Sequence, residues 1–135
     1  MKATETSEKV FERTLSKYVN DKGGIAVKLL SQFVNGLPDR LYLIPGGHAL
    51  FIEFKSTGKK PTKIQEHIID RIRKVGFTVM VVDSPETYKN AVLYIDKLLC
   101  VNIELTDITN VNVLTKSLVV REVSVSLKCQ KEITT

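Results

Sequence analysis

Two β-rich runs, Arg40-Leu-Tyr-Leu-Ile44 and His48-Ala-Leu-Phe-Ile-Glu-Phe-Lys55, flank the triplet Pro45-Gly46-Gly47. No other feature restricts the fold of this chain as tightly. The triplet is turn-forming, so the runs are predicted to close as an antiparallel hairpin. Turn length then decides which residues face each other. A three-residue turn sets Ile44 against His48, and counting back along both strands brings Asp39 opposite Glu53. Directly opposed side chains share a face, with Cβ atoms about 4.5–5.5 Å apart. A two-residue turn would slip the register by one and set Arg40 against Glu53, an ordinary cross-strand ion pair.

Two opposed carboxylates repel each other unless a cation lies between them. Hard divalent cations such as Mg²⁺ take oxygen ligands, often one or two carboxylates with water and substrate phosphate. The predicted hairpin therefore builds a site for Mg²⁺ or Mn²⁺. Lys55 follows Glu53 by two residues, on the same face and about 6.6 Å along the strand. An ammonium group there can hold an attacking water or stabilise charge developing on phosphoryl oxygens. Asp39, Glu53 and Lys55 thus form a set suited to phosphodiester hydrolysis. The plainer alternative is a pair of exposed strand charges, since acidic-x-Lys is a common spacing. Against it, Glu53 sits within Leu50-Phe-Ile-Glu-Phe54, where a carboxylate without a partner is costly, and Asp39 interrupts an otherwise apolar face.

Elsewhere the patterning is mixed. Residues 7–22 carry Phe11, Leu15, Tyr18 and Val19 at helical spacing, with Thr6 or Ser7 as candidate cap, Glu8 in the first turn and Gly23-Gly24 as a stop. Ile25–Leu30 alternates as a strand, and 31–36 reads as a loop. After the hairpin, Pro61 or Thr62 opens a helix with Ile64, Ile68, Ile72 and Val75 as its apolar stripe, closed by Gly76. Phe77–Val82 is a short apolar run consistent with a strand covered on both faces. Asp83 or Ser84 then caps a helix with Pro85 in its first position and Tyr88, Val92, Ile95 and Leu99 inward. The predicted order is α-β-β-β-α-β-α, an α/β fold with a mixed central sheet flanked by helices. Residues 100–135, rich in Val, Thr, Asn and Ser, read as a β-rich C-terminal extension, with a strand expected at Val123–Leu127.

At 135 residues the chain is expected to form one main domain. No apolar run reaches the about 18 residues needed to span a bilayer, and the N-terminus lacks the apolar core of a secretory signal. A cytoplasmic location, or a host's cytoplasm for a phage protein, is the resulting expectation. Cys100 and Cys129 lack ligand-spaced partners and read as buried free thiols. His48 and His67 read as surface or turn residues. A net charge of +5 favours polyanionic partners, and Lys59, Lys60 and Lys63 cluster beside Lys55 as a candidate phosphate-tracking rim.

The stretch Gly36-Leu-Pro-Asp-Arg40 through Ile52-Glu-Phe-Lys55 closely resembles the VRR-NUC family, virus-type replication-repair nucleases of the PD-(D/E)xK superfamily. The likeness continues through Gly58-Lys-Lys-Pro-Thr-Lys-Ile-Gln65 and Val75–Ser84. Upstream, Glu12 precedes Gly23-Gly-Ile-Ala-Val-Lys28 as in the family's first helix and strand. The likeness spans residues 8–99, making 1–99 the nuclease-like domain and leaving 100–135 without a role. The resemblance implies a restriction-endonuclease-like fold. It also implies metal ligation by Asp39, Glu53 and the Phe54 main-chain carbonyl, with Lys55 as catalytic lysine. Glu12 would act on the metal, directly or through water, and Gln65 would position the lysine, water or phosphate. Lys28 would contact DNA. Compact members of the family act as homodimers on branched DNA such as four-way junctions, so an endonuclease of that kind is the leading expectation. A non-catalytic nucleic-acid-binding module and an RNA-directed enzyme stand as alternatives.

Overall fold

The computed structural model describes residues 6–110. They form α1 (Ser7–Asp21), β1 (Ile25–Lys28), β2 (Arg40–Ile44), β3 (His48–Phe54), α2 (Lys63–Lys74), β4 (Thr78–Val82) and α3 (Pro85–Asn110), in the predicted order. The four strands lie side by side in chain order, with β1, β2 and β3 antiparallel and β4 parallel to β3. The expected strand at 123–127 and Cys129 lie outside the described residues. Helix α3 runs through the anticipated boundary at residue 99 to Asn110, and Cys100 is half-buried on it. Among the described residues no helix is long and apolar enough to cross a membrane.

The hairpin closes as turn length dictates. Ile44 pairs with His48 and Arg40 with Ile52, so the three-residue register holds. Gly46 and Gly47 take φ of 95° and 82°, a left-handed backbone in which a Cβ would be strained. Alternation then sorts the faces. Tyr42, Ile44, Leu50, Ile52 and Phe54 join Leu15 and Val19 of α1 and Ala91 and Ile95 of α3 in one buried core. The odd-numbered positions of β3 lie on the other face, where Glu53 meets Gln65 of α2 and Phe51 meets Phe77.

Some elements differ from expectation. Strand β1 ends at Lys28 instead of Leu30. At the start of α1 the Thr6 side chain makes no capping bond, and the Ser7 hydroxyl instead accepts the Thr57 amide at 3.3 Å. Of the apolar stripe expected on α2, Ile68 and Ile72 face inward and Ile64 and Val75 do not. Ile64 is 51% and Val75 72% exposed, while Ile69 is buried and Gln65, Ile68 and Ile72 are half-buried. The reason is polar: Gln65, besides closing a capping box with Thr62, donates to Glu53 of β3 at 2.6 Å, which holds this side of the helix against the sheet.

Candidate active site

Asp39 lies one residue ahead of β2. Extending the register from Arg40–Ile52 sets it level with Glu53. Its neighbour Arg40 points to the α1 side, where its Nε donates to Glu12 Oε1 at 2.7 Å. Alternation therefore directs Asp39 to the α2 side, which it shares with Glu53. Two hydrogen bonds fix it. The Phe54 amide donates to Asp39 Oδ2 at 2.7 Å, and the Asp39 carbonyl accepts the Leu29 amide at 3.0 Å. The preceding loop is pinned at Gly36 (φ 86°), where a Cβ would come within 2.8 Å of the Ile64 carbonyl oxygen. Asp39 and the start of α2 are thus brought together by a contact that requires glycine.

Glu53 is completely buried. Its Oε1 receives Lys55 Nζ at 2.6 Å and Gln65 Nε2 at 2.6 Å. Its Oε2 is buried with no hydrogen-bond partner. Burial pushes the Glu53 carboxyl above the usual carboxylate range; Lys55 opposes the shift and the Asp39 charge adds to it. Asp39 is also raised, chiefly by burial, against the opposing Phe54 amide and Lys55. A buried carboxylate with one oxygen doubly satisfied and the other bare is incomplete as a folding element, and a cation would complete it.

The sequence-predicted residues fall into two groups. Asp39, Glu53, Lys55 and Gln65 converge on the α2 side of the sheet, at the end where β3 finishes. Glu12 pairs with Arg40 and, at 3.9 Å, with Lys28, while its charge still raises Asp39, ahead of that of Glu8. Lys59, Lys60 and Lys63 are exposed on the way into α2. Glu8 was read from sequence only as a helix-dipole residue, yet it lies at the same end of the sheet. Its Oε2 accepts the Ser56 hydroxyl at 3.4 Å, and its charge acts on both Asp39 and Glu53. The legible signal was its place one helical turn before Glu12, on the same side of α1.

Among the described residues no three His, Cys, Asp or Glu side chains converge as a metal-holding group. The donor set is two carboxylates, with main-chain oxygen, water and substrate to complete it. That set suits Mg²⁺ or Mn²⁺, which keep several waters, and does not suit a closed protein cage. Glu53 Oε2, buried and without a hydrogen-bond partner, is the oxygen such a cation would reach.

No protein-family model matches the chain. It is 39% identical over 79 residues to "Putative nuclease p44" of Acyrthosiphon pisum secondary endosymbiont phage 1, covering 58% of this chain and 85% of that protein. A solved structure described as "VRR_NUC domain" superposes with a TM-score of 0.61 at 29% identity, over 65% of this chain and 96% of the other. The chain belongs to the VRR-NUC family of nucleases. Within a VRR-NUC fold, the end of the sheet carrying Asp39, Glu53 and Lys55 is the place to seek the chemistry.

Proposed function

We propose that this VRR-NUC chain is an endonuclease that hydrolyses DNA phosphodiester bonds with Mg²⁺ or Mn²⁺. The observation that carries the reading is the buried, unpartnered Glu53 Oε2, on the face it shares with Asp39. Asp39 and Glu53 would hold the cation, assisted by the Phe54 main-chain carbonyl. A cation there supplies Lewis acidity toward the phosphoryl group and makes a neighbouring water more acidic.

The chain's own residues do the rest. Gln65 holds Glu53 Oε1 and so fixes which oxygen is presented to the cation. Lys55, 17% exposed, lies where its ammonium can stabilise negative charge gathering on the phosphoryl oxygens. Of the two acids on α1, we assign Glu8 to an ordered water, because its charge acts on both Asp39 and Glu53 whereas Glu12, which acts on Asp39, has Oε1 held by Arg40. Lys59, Lys60 and Lys63 provide positive charge beside the site for the backbone of the substrate.

The finer reading is a homodimer acting on branched DNA, including four-way junctions. A two-fold axis would present two such sites to two strands. The test is metal-dependent cleavage of a panel of junction, flap and linear duplex DNA by wild-type and Asp39→Ala protein. Cleavage that needs Mg²⁺ or Mn²⁺ and vanishes in Asp39→Ala supports the enzyme. Absence of cleavage by wild-type protein with either metal leaves a binding module. Equal rates on all substrates remove the branched-DNA preference.

A further inference from the structure

A cleft of about 610 Å³ opens between α1 and the β1–β2 edge, on the face of the sheet opposite Asp39. Its walls carry Lys9, Arg13 and Lys17 from the helix and Lys28 and Arg40 from the strands. Two acids also line it. Glu12 is occupied with Arg40 Nε at 2.7 Å and Lys28 Nζ at 3.9 Å. Asp21 pairs with Lys17 at 2.5 Å, an exposed contact between side chains one turn apart that binds weakly and exchanges readily. Five basic residues against two acidic ones leave the cleft positive.

The arrangement is directional. Helix α1 starts at the catalytic end of the sheet, where Ser7 and Glu8 meet Thr57 and Ser56. It finishes near the hairpin turn, where Gly23 lies against Pro45. Lys9, Arg13 and Lys17 recur every fourth residue, so they form one row of about 12 Å leading away from the site. A DNA strand presents one phosphate per about 3.4 Å of axis, so the row spans roughly three to four phosphates. Lys28 and Arg40 face each other in the β1–β2 register and close the opposite wall.

We infer that this cleft is a second phosphodiester track, which grips the substrate backbone on the α1 side of the active site while Lys59, Lys60 and Lys63 flank the other. The inference rests on the reading of the substrate as DNA. The track holds backbone phosphates rather than bases, because its donors are cations, all exposed except the half-buried Arg40, with no aromatic platform among the lining residues.

The test is fluorescence anisotropy with a labelled DNA duplex in EDTA, which prevents cleavage, across a range of salt concentrations. The proteins are wild type, Lys9→Glu/Lys17→Glu, the milder Lys9→Ala/Lys17→Ala, and Lys89→Glu/Lys97→Glu on α3 as a charge-matched control. Thermal melts check that each is folded. The first variant should bind at least about tenfold more weakly near 100 mM salt and lose about two from the slope of log K against log salt. The alanine pair should shift both in the same direction, and the control should lose much less. Wild-type affinity and slope in both cleft variants overturn the track, as does an equal loss in the control or absence of DNA binding by wild-type protein. The nuclease reading is judged separately, by Mn²⁺-dependent cleavage in the wild type. Binding through the cleft without cleavage retires the nuclease and keeps the track; cleavage with unaltered binding in the variants does the reverse.

Discussion

Gln65 donates its side-chain amide to Glu53 Oε1 at 2.6 Å while its side-chain oxygen accepts the Thr62 amide at 2.9 Å. One residue therefore both starts helix α2 and orients the buried carboxylate of the site. Helix nucleation and the geometry of the proposed metal site share an atom group.

That double duty can be separated by mutation. Thr62→Ala removes the other half of the capping box and should cost about 1 kcal/mol of stability with only a modest effect on cleavage. Gln65→Ala should cost a similar amount and abolish most cleavage. Gln65→Glu can still cap the helix but puts a carboxylate where Glu53 needs a donor, so it should remain folded and be inactive. Urea unfolding and initial cleavage rates on the same samples decide the matter. Full activity in Gln65→Ala would show that Glu53 needs no such support.

Burial raises Glu53 above the ordinary carboxylate range even with Lys55 beside it. Its ionised form is therefore a net burden on the metal-free fold. Glu53→Gln lifts that burden but leaves Lys55, 17% exposed, without its carboxylate, so it should melt within about 5 °C of wild type at neutral pH without metal, and should not cleave. Adding Mn²⁺ at a hundred times its Kd should stabilise wild type by about 2.7 kcal/mol. Asp39→Asn and Glu53→Gln should gain little. Calorimetry with and without metal measures both effects, and an equal gain in all three proteins would place the cation elsewhere.

The two acids of α1 should respond differently. Glu12→Gln takes a carboxylate from Arg40, which is only 20% exposed, and should lower the melting temperature by several degrees. Glu8→Gln touches no comparable ion pair among those of the described residues, and should leave stability within about 0.5 kcal/mol. Its effect should instead be on the cleavage rate. The reverse pattern would return the catalytic assignment to Glu12.

Two tyrosines predict alkaline behaviour. Burial pushes Tyr18 up to about 12 from 10.0, helped by its hydrogen bond to Asp96, and burial likewise pushes Tyr42 up to about 12. The unfolded phenols lose their protons first, so the unfolded state binds fewer protons between these values. Stability should therefore fall as pH rises from 10 to 12. Tyr18→Phe should flatten this decline in denaturant titrations at successive pH values. An unchanged slope would mean that Tyr18 does not contribute.

The hairpin was legible because its turn contains a fixed number of residues and side-chain alternation leaves no freedom once that number is known. Counting alone left two registers, and the Ile44–His48 pairing is the one that sets Asp39 level with Glu53. Helix α2 was harder. Ile64 and Val75 satisfy an apolar period as well as the residues that are in fact buried, and only the bond between Gln65 and Glu53, far apart in sequence, selects the roll of the helix. Glu8 and Glu12 were similarly indistinguishable as helical acids one turn apart. Their difference arises from Arg40, whose side of the sheet depends on the hairpin register.

Gly36 carries a consequence of its own. Where the loop crosses the first turn of α2, even one methyl group would collide with main-chain atoms. Its neighbours Leu30 and Phe33 are 85% and 96% exposed, so that loop can be rebuilt in length and chemistry around a single immovable stitch. Relatives of this protein could diversify what the loop touches while the aspartate beyond it stays in place.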